Sequence, residues 1–95
     1  NTGTIITIEG PRFSTKAESL LFRSWGCDII NMSTVPEVVL AKELSIEYQV
    51  IAMSTDYDCW NETEEEVTME KIYSVMEKNV DNVKILLEQV VPQIK

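Results

Sequence analysis

The sequence predicts an α/β fold with a central sheet flanked by helices, and three features carry that reading. Short β-branched runs alternate with helix-periodic ones, two helix-periodic runs open on a capping-box spacing, and the longest carries one continuous apolar stripe. The element order is strand, helix, strand, helix, strand, long helix.

Thr4 to Ile8 (TIITI) is short, β-branched and nearly all apolar, as expected of a strand covered on both faces. Glu9-Gly10-Pro11-Arg12-Phe13 interrupts it, since Gly frees the backbone and Pro removes a donor. Thr15 and Glu18 have capping-box spacing and open a helix whose Leu21, Phe22 and Trp25 are expected to face inward. Gly26 is placed to end that helix in a left-handed conformation. Cys27 to Met32 is a second strand. Thr34 and Glu37 repeat the capping spacing, with Pro36 in the first turn of a helix running through Val38, Val39, Ala41 and Leu44. Tyr48 to Ser54 is a third strand, followed by Thr55-Asp56-Tyr57-Asp58. Thr68 starts the long helix. Its stripe is Ile72, Met76, Val80, Val83, Leu87 and Val90, and Pro92 marks its end. No repeat or linker divides residues 1–95, which read as one piece of a domain.

The 95 residues carry a net charge of −8 and contain no His. An acidic surface repels phosphate backbones and anionic lipid, which argues against nucleic-acid and membrane partners. No apolar run reaches the roughly 18 residues needed to span a membrane. Cys27 and Cys59 have neither CxxC spacing nor a His to complete a zinc set, so two buried, reduced thiols in a cytoplasmic protein are expected. Glu62, Glu64, Glu65 and Glu66 read as a solvated loop or helix start rather than a metal site. The chain opens at Asn1, with a strand only a few residues in, and is expected to be part of a longer polypeptide.

In α/β sheets ligands gather at the carboxyl ends of strands. The second strand runs into Asn31-Met32-Ser33-Thr34, where free N–H groups and hydroxyls could seat an anion. From spacing alone the plainer reading is that Ser33 and Thr34 only cap the helix. The third strand runs into Asp56 and Asp58, two apart and able to point the same way in extended chain. As turn formers they would instead satisfy their own backbone. Met32 and Phe13 each read as core packing or as a ligand wall. These patterns by themselves specify no reaction.

Three longer blocks do. Thr7-Ile8-Glu9-Gly10-Pro11-Arg12-Phe13-Ser14 with Ala17-Glu18-Ser19, then Ile30 through Ala41 (INMSTVPEVVLA), then Ala52 through Trp60 (AMSTDYDCW) stand in order along the chain. Together they resemble the methylthioadenosine phosphorylases of the purine nucleoside phosphorylase family, over essentially the whole chain. The resemblance implies a mixed, partly barrel-like sheet, a homotrimer, and sites near subunit interfaces. It implies phosphorolysis of 5′-methylthioadenosine to adenine and 5-methylthioribose 1-phosphate in purine and methionine salvage. Inorganic phosphate is then a co-substrate, and no metal or organic cofactor takes part. The protein would be cytoplasmic, with a nuclear share compatible.

The resemblance also assigns residues. Asp56 and Asp58 face the purine N7 and amino edge as the catalytic pair, with Tyr57 between them; proton delivery there is worth about 10²–10⁴-fold. Acceptors at this edge favour a 6-amino purine, whose N–H groups donate. Phe13 stacks on the base and Ser14 reaches its edge. Asn31 lies on the substrate side, Met32 lies against the ribose, and Ser33, where the family usually has Thr, meets phosphate. Met69, Ile72 and Tyr73 line the 5′-alkylthio pocket. Met69 and Tyr73 depart from the smaller aliphatic residues common there, which leaves the preference for methylthio over plain adenosine open. The basic residues of the phosphate site and a terminal pocket segment belong to parts of the family's sequence outside these 95 residues, so the chain is expected not to catalyse alone. Related phosphorylases acting on adenosine, inosine, guanosine or methylthioinosine, and a non-catalytic acidic binding module on the same fold, are the alternatives.

Overall fold

A computed structural model describes residues 2–62 and 68–95. The described parts of Asn1–Ile51 and Asp58–Glu62 form one compact unit; those of Ala52–Tyr57 and Thr63–Lys95 form a second.

The first unit is built on a strand–helix–strand crossover. Strand β1 (Ile5–Thr7) pairs in parallel with β2 (Ile29–Asn31), in the register Ile5 to Ile29, Ile6 to Ile30 and Thr7 to Asn31. Parallel strands need a long connection, and helix α1 (Lys16–Ser24) supplies it. The ladder continues past the strand ends, where Ile8 N donates to Asn31 O at 2.9 Å and Asp28 N to Thr4 O at 2.9 Å. Thr4 N donates to Asp28 Oδ2 at 2.8 Å, which fastens the other end.

The capping box of α1 forms as its spacing predicts. Glu18 N donates to Thr15 Oγ1 at 3.3 Å and Thr15 N donates to Glu18 Oε2 at 2.7 Å. A cap of this kind is worth about 0.5–2 kcal/mol. Gly26 ends the helix with φ +77°. Cys27 N donates to Phe22 O and Gly26 N to Arg23 O, so the terminal carbonyls are satisfied in a Schellman motif. Helix α2 (Glu37–Glu43) stops in the same way, with Ile46 N on Ala41 O and Ser45 N on Lys42 O. The left-handed residue there is a serine, Ser45, at φ +55°.

The second capping box does not form. Pro36 is the residue at the cap position and contributes no side-chain bond, while the Thr34 hydroxyl is taken by Thr7 and Asn31. Tyr48 to Ser54 is not a strand either. A strand is defined by a ladder partner, and among the described residues the sheet contains only β1 and β2. The segment makes side-chain bonds instead: Tyr48 Oη donates to Glu37 Oε2 at 2.9 Å, which raises the Tyr48 pKa.

In the second unit, α3 (Met69–Val90) begins where Thr68 Oγ1 accepts from Lys71 N at 3.2 Å. It gives way to a 3-10 turn at Val91–Gln93 around Pro92. Glu64, Glu65 and Glu66 lie outside the described residues.

No hydrophobic side chain is buried among the described residues. The expectation that β1 is covered on both faces and that Leu21 and Trp25 face inward is therefore corrected: β1 is half-buried, and Leu21 and Trp25 are exposed. Phe22 is half-buried, its ring 6.0 Å from that of Trp25. A two-stranded sheet is too narrow to cover a helix face. The stripe of α3 is likewise half-buried at Ile72 and Val83 and exposed at Met76, Val80, Leu87 and Val90. Cys27 and Cys59 are free thiols; Cys27 is half-buried, and Cys59 is exposed rather than buried as expected.

Candidate functional site

The loop after β1 is held by one carboxylate. Glu18 accepts from both guanidinium nitrogens of Arg12, at 2.8 Å each, as well as from Thr15 N. Arg12 also donates to Phe13 O at 3.1 Å. The first turn of α1 thereby fixes the backbone that carries Phe13 and Ser14. The Arg12 hydrogen bonds, followed by those from Thr15, hold Glu18 down to about 2 from an ordinary 4.5, and Arg12 is raised in return. Phe13 is 61% exposed, so its ring is open to a ligand. Ser14 Oγ is enclosed and makes no hydrogen bond among the described residues.

The turn after β2 carries Asn31, Met32 and Ser33. Asn31 Oδ1 accepts from Thr7 Oγ1 at 2.9 Å and lies 3.3 Å from Thr34 Oγ1, and the two hydroxyls are 2.6 Å apart. Thr34 is only 9% exposed. Met32 leans on the glycine of the preceding loop: a Cβ on Gly10 would lie 2.8 Å from Met32 Sδ, and Gly10 has φ +71°. Ser33 is exposed. Val38 N, in the first turn of α2, donates to Thr34 O at 2.9 Å.

Asp58 belongs to this same unit. It opens a turn in which Asn61 N donates to Asp58 O at 3.0 Å, and its Oδ1 accepts from Cys59 N at 2.8 Å. That is the local backbone satisfaction that turn-forming aspartates provide. The Cys59 thiol is 3.6 Å from Ser14 O, and Lys16 pairs with Glu62, which tethers the turn to the loop after β1. The Arg23 guanidinium stacks 3.9 Å over the Trp60 ring. Asp58 also lines a small open hollow with Ile6, Ser19, Arg23 and Trp60.

Asp56 and Tyr57 lie in the second unit. Asp56 Oδ1 accepts from Thr55 Oγ1 at 2.5 Å, and both Asp56 and Tyr57 are exposed. Met69, Ile72 and Tyr73 share one face of the first turns of α3; Ile72 is half-buried, and Met69 and Tyr73 are exposed. The structure thus gathers Phe13, Ser14, Asn31, Met32, Ser33 and Asp58 in one unit, and Asp56, Tyr57, Met69, Ile72 and Tyr73 in the other.

Sequence reasoning missed three supporting features. Beyond their place in the first of the three blocks, Glu18 reads as a cap partner, Gly10 as a turn residue and Thr7 as a strand residue. Their partners lie 6 residues away for Arg12 and 24 for Asn31, and no local spacing signals the latter.

Among the described residues no cluster of three His, Cys, Asp or Glu side chains could hold a metal ion, and no helix is long and apolar enough to cross a membrane.

A parallel β–α–β crossover with polar side chains at the carboxyl ends of its strands defines an α/β architecture. The chain belongs to the phosphorylase superfamily, whose family model matches residues 1–92. Among curated relatives, S-methyl-5′-thioadenosine phosphorylase of Danio rerio is 56% identical over 97% of this chain and 33% of its own length. That of Aedes aegypti is 55% identical over 99% of this chain and 34% of its own. Among solved structures, methylthioadenosine phosphorylase from Schistosoma mansoni in complex with adenine superposes with a TM-score of 0.81 at 47% identity. That match covers 94% of this chain and 32% of the other. A methylthioadenosine phosphorylase from an antarctic soil metagenomic library gives a TM-score of 0.85 at 42% identity, over 97% and 32%. The chain therefore spans about a third of the length of the relatives it matches, and the α/β fold expected from its sequence is theirs.

Proposed function

We propose that this chain is the carboxy-terminal portion of a single nucleoside phosphorylase domain, in an enzyme that phosphorolyses 5′-methylthioadenosine to adenine and 5-methylthioribose 1-phosphate. One observation carries the reading: each relative named above, matched over nearly the whole chain, is a methylthioadenosine phosphorylase.

In the reaction a phosphate oxygen bonds to C1′ as the C1′–N9 bond breaks, and the electron pair of that bond leaves with the purine. Positive charge grows on the ribose and negative charge on the base, so rate is gained from contacts that strengthen in that state. Asp56 and Asp58 take the N7 and amino edge, where a proton neutralises the leaving base. Tyr57 belongs to the same substrate-facing segment. Phe13 stacks on the ring, and Ser14, whose hydroxyl makes no hydrogen bond among the described residues, reaches the purine edge. Met32 lies against the ribose and Ser33 donates to phosphate. Met69, Ile72 and Tyr73 form the apolar wall for the 5′-methylthio group.

Ser33 is neutral, so the cationic groups that balance phosphate come from the rest of the polypeptide, as does the cover for the exposed apolar faces. The enzyme is a homotrimer that needs no metal or organic cofactor, works in the cytoplasm, and serves purine and methionine salvage. Its partners are the nucleoside and phosphate.

The test is release of the free purine base by the complete polypeptide, with methylthioadenosine, adenosine, inosine, guanosine and methylthioinosine, each with and without phosphate. Phosphate-dependent cleavage fastest with methylthioadenosine is expected. Faster cleavage of a 6-oxo purine nucleoside, or none at all, refutes the reading. Asp56→Ala should lower turnover about 10²–10⁴-fold.

A further inference from the structure

We propose that Thr7, Asn31 and Thr34 form a positioning triad that sets the Met32–Ser33 turn for inorganic phosphate, with Asn31 acting through the turn rather than by touching substrate. The inference rests on the reading that Ser33 meets phosphate.

The geometry is a short chain of hydroxyls ending on an amide oxygen. Thr7 donates to Asn31 Oδ1 at 2.9 Å, and the Thr7 and Thr34 hydroxyls share a further hydrogen bond at 2.6 Å. The Thr34 hydroxyl stands 3.3 Å from the same amide oxygen, which closes the triangle. Each member ends a different stretch of chain: Thr7 is the last residue of β1, Asn31 the last of β2, and Thr34 lies just ahead of α2. Thr7 and Asn31 are also register partners in the ladder. Met32 and Ser33 are the two residues enclosed between Asn31 and Thr34, so fixing both ends fixes the turn.

Two rival roles fit less well. Thr34 does not cap α2, because the cap position is Pro36 and receives no side-chain bond. Thr7 does not need a hydroxyl to be a strand residue, since Val has equal or greater β propensity without a polar group to satisfy. A half-buried site that keeps two hydroxyls and an amide in mutual contact bears a desolvation cost, and positioning is the return. Gly10 supports the same turn from the other side by leaving room for Met32 Sδ.

The test is calorimetric titration of the complete polypeptide with inorganic phosphate and, separately, with adenine, in Thr34→Val, Thr7→Val and Thr34→Ser variants. Either Val variant is expected to weaken phosphate binding about tenfold, the effect of losing one hydrogen bond of typical net strength, with adenine binding within twofold of the parent. Thr34→Ser keeps the hydroxyl and should restore parental phosphate affinity. Should Thr34→Val fail to fold, Thr7→Val reads the same shift. Unchanged phosphate affinity in the folded Val variants, or equal weakening of both ligands, overturns the triad while leaving the phosphorylase reading intact. A parent that binds adenine but no phosphate overturns both.

Discussion

Replacing Gly10 by alanine should strain the backbone and displace Met32 at once, and Gly26→Ala separates the two effects. Both glycines have left-handed backbones, at φ +71° and +77°, so an added Cβ costs about 1–2 kcal/mol at either position. At Gly26 the new methyl meets nothing within 4 Å among the described residues. At Gly10 it would lie 2.8 Å from Met32 Sδ and 3.5 Å from Met32 Cγ. Overpacking of this kind costs about 1–3 kcal/mol more. Sδ is not the free end of the side chain, so relief requires Met32 to move as a whole. In a protein of the relatives' size, each kcal/mol shifts Tm by about 2–4 °C. Gly10→Ala should therefore melt at least about 2–4 °C below Gly26→Ala. Nucleoside KM, read in the same variants of the complete polypeptide, should rise about tenfold in Gly10→Ala and stay near parental in Gly26→Ala. The tenfold figure corresponds to loss of roughly one well-packed contact, about 1.4 kcal/mol. Equal melting points and equal KM values in the two variants would refute the claim that Gly10 holds Met32 in place.

Ser45→Gly should stabilise the protein by about 0.5–1 kcal/mol, because Ser45 occupies the left-handed position of the α2 Schellman motif at φ +55°; a rise in Tm checks it. The carboxyl of Glu18 is lowered from 4.5 to about 2 in the folded protein, so its stabilising contribution is present above the ordinary value and is lost as pH falls through the folded one. An NMR titration of the Glu18 carboxyl should give a midpoint well below 4, Glu18→Gln should reduce the pH dependence of stability in that window while the Lys16–Glu62 pair keeps its own share, and a midpoint near 4.5 counts against the Arg12 tether.

How far the sequence could be read depended on how local the determining contacts are. The α1 cap was legible because Thr15 and Glu18 are three residues apart, and the Gly26 stop because only glycine adopts that backbone freely. The stop at Ser45 carries no such signal, since serine rarely marks a left-handed position. The Thr34 cap failed for a distant reason: Thr7, 27 residues earlier, competes for its hydroxyl. Tyr48 to Ser54 has strand composition, but pairing needs a neighbour that composition does not supply. The inward face expected of α1 does not follow from its pattern alone, and Leu21 and Trp25 are exposed, because burial depends on what covers them. The candidate site was legible mainly through three long blocks whose order matches a family; spacing alone favoured capping and turn formation over catalysis.

The most direct test of the proposed chemistry is a crystal structure of the complete polypeptide with adenine bound. The purine N7 and 6-amino group should lie within about 2.7–3.2 Å of carboxylate oxygens from Asp56 and Asp58, with the Phe13 ring against the base. An adenine ring seated away from both aspartates would contradict the account.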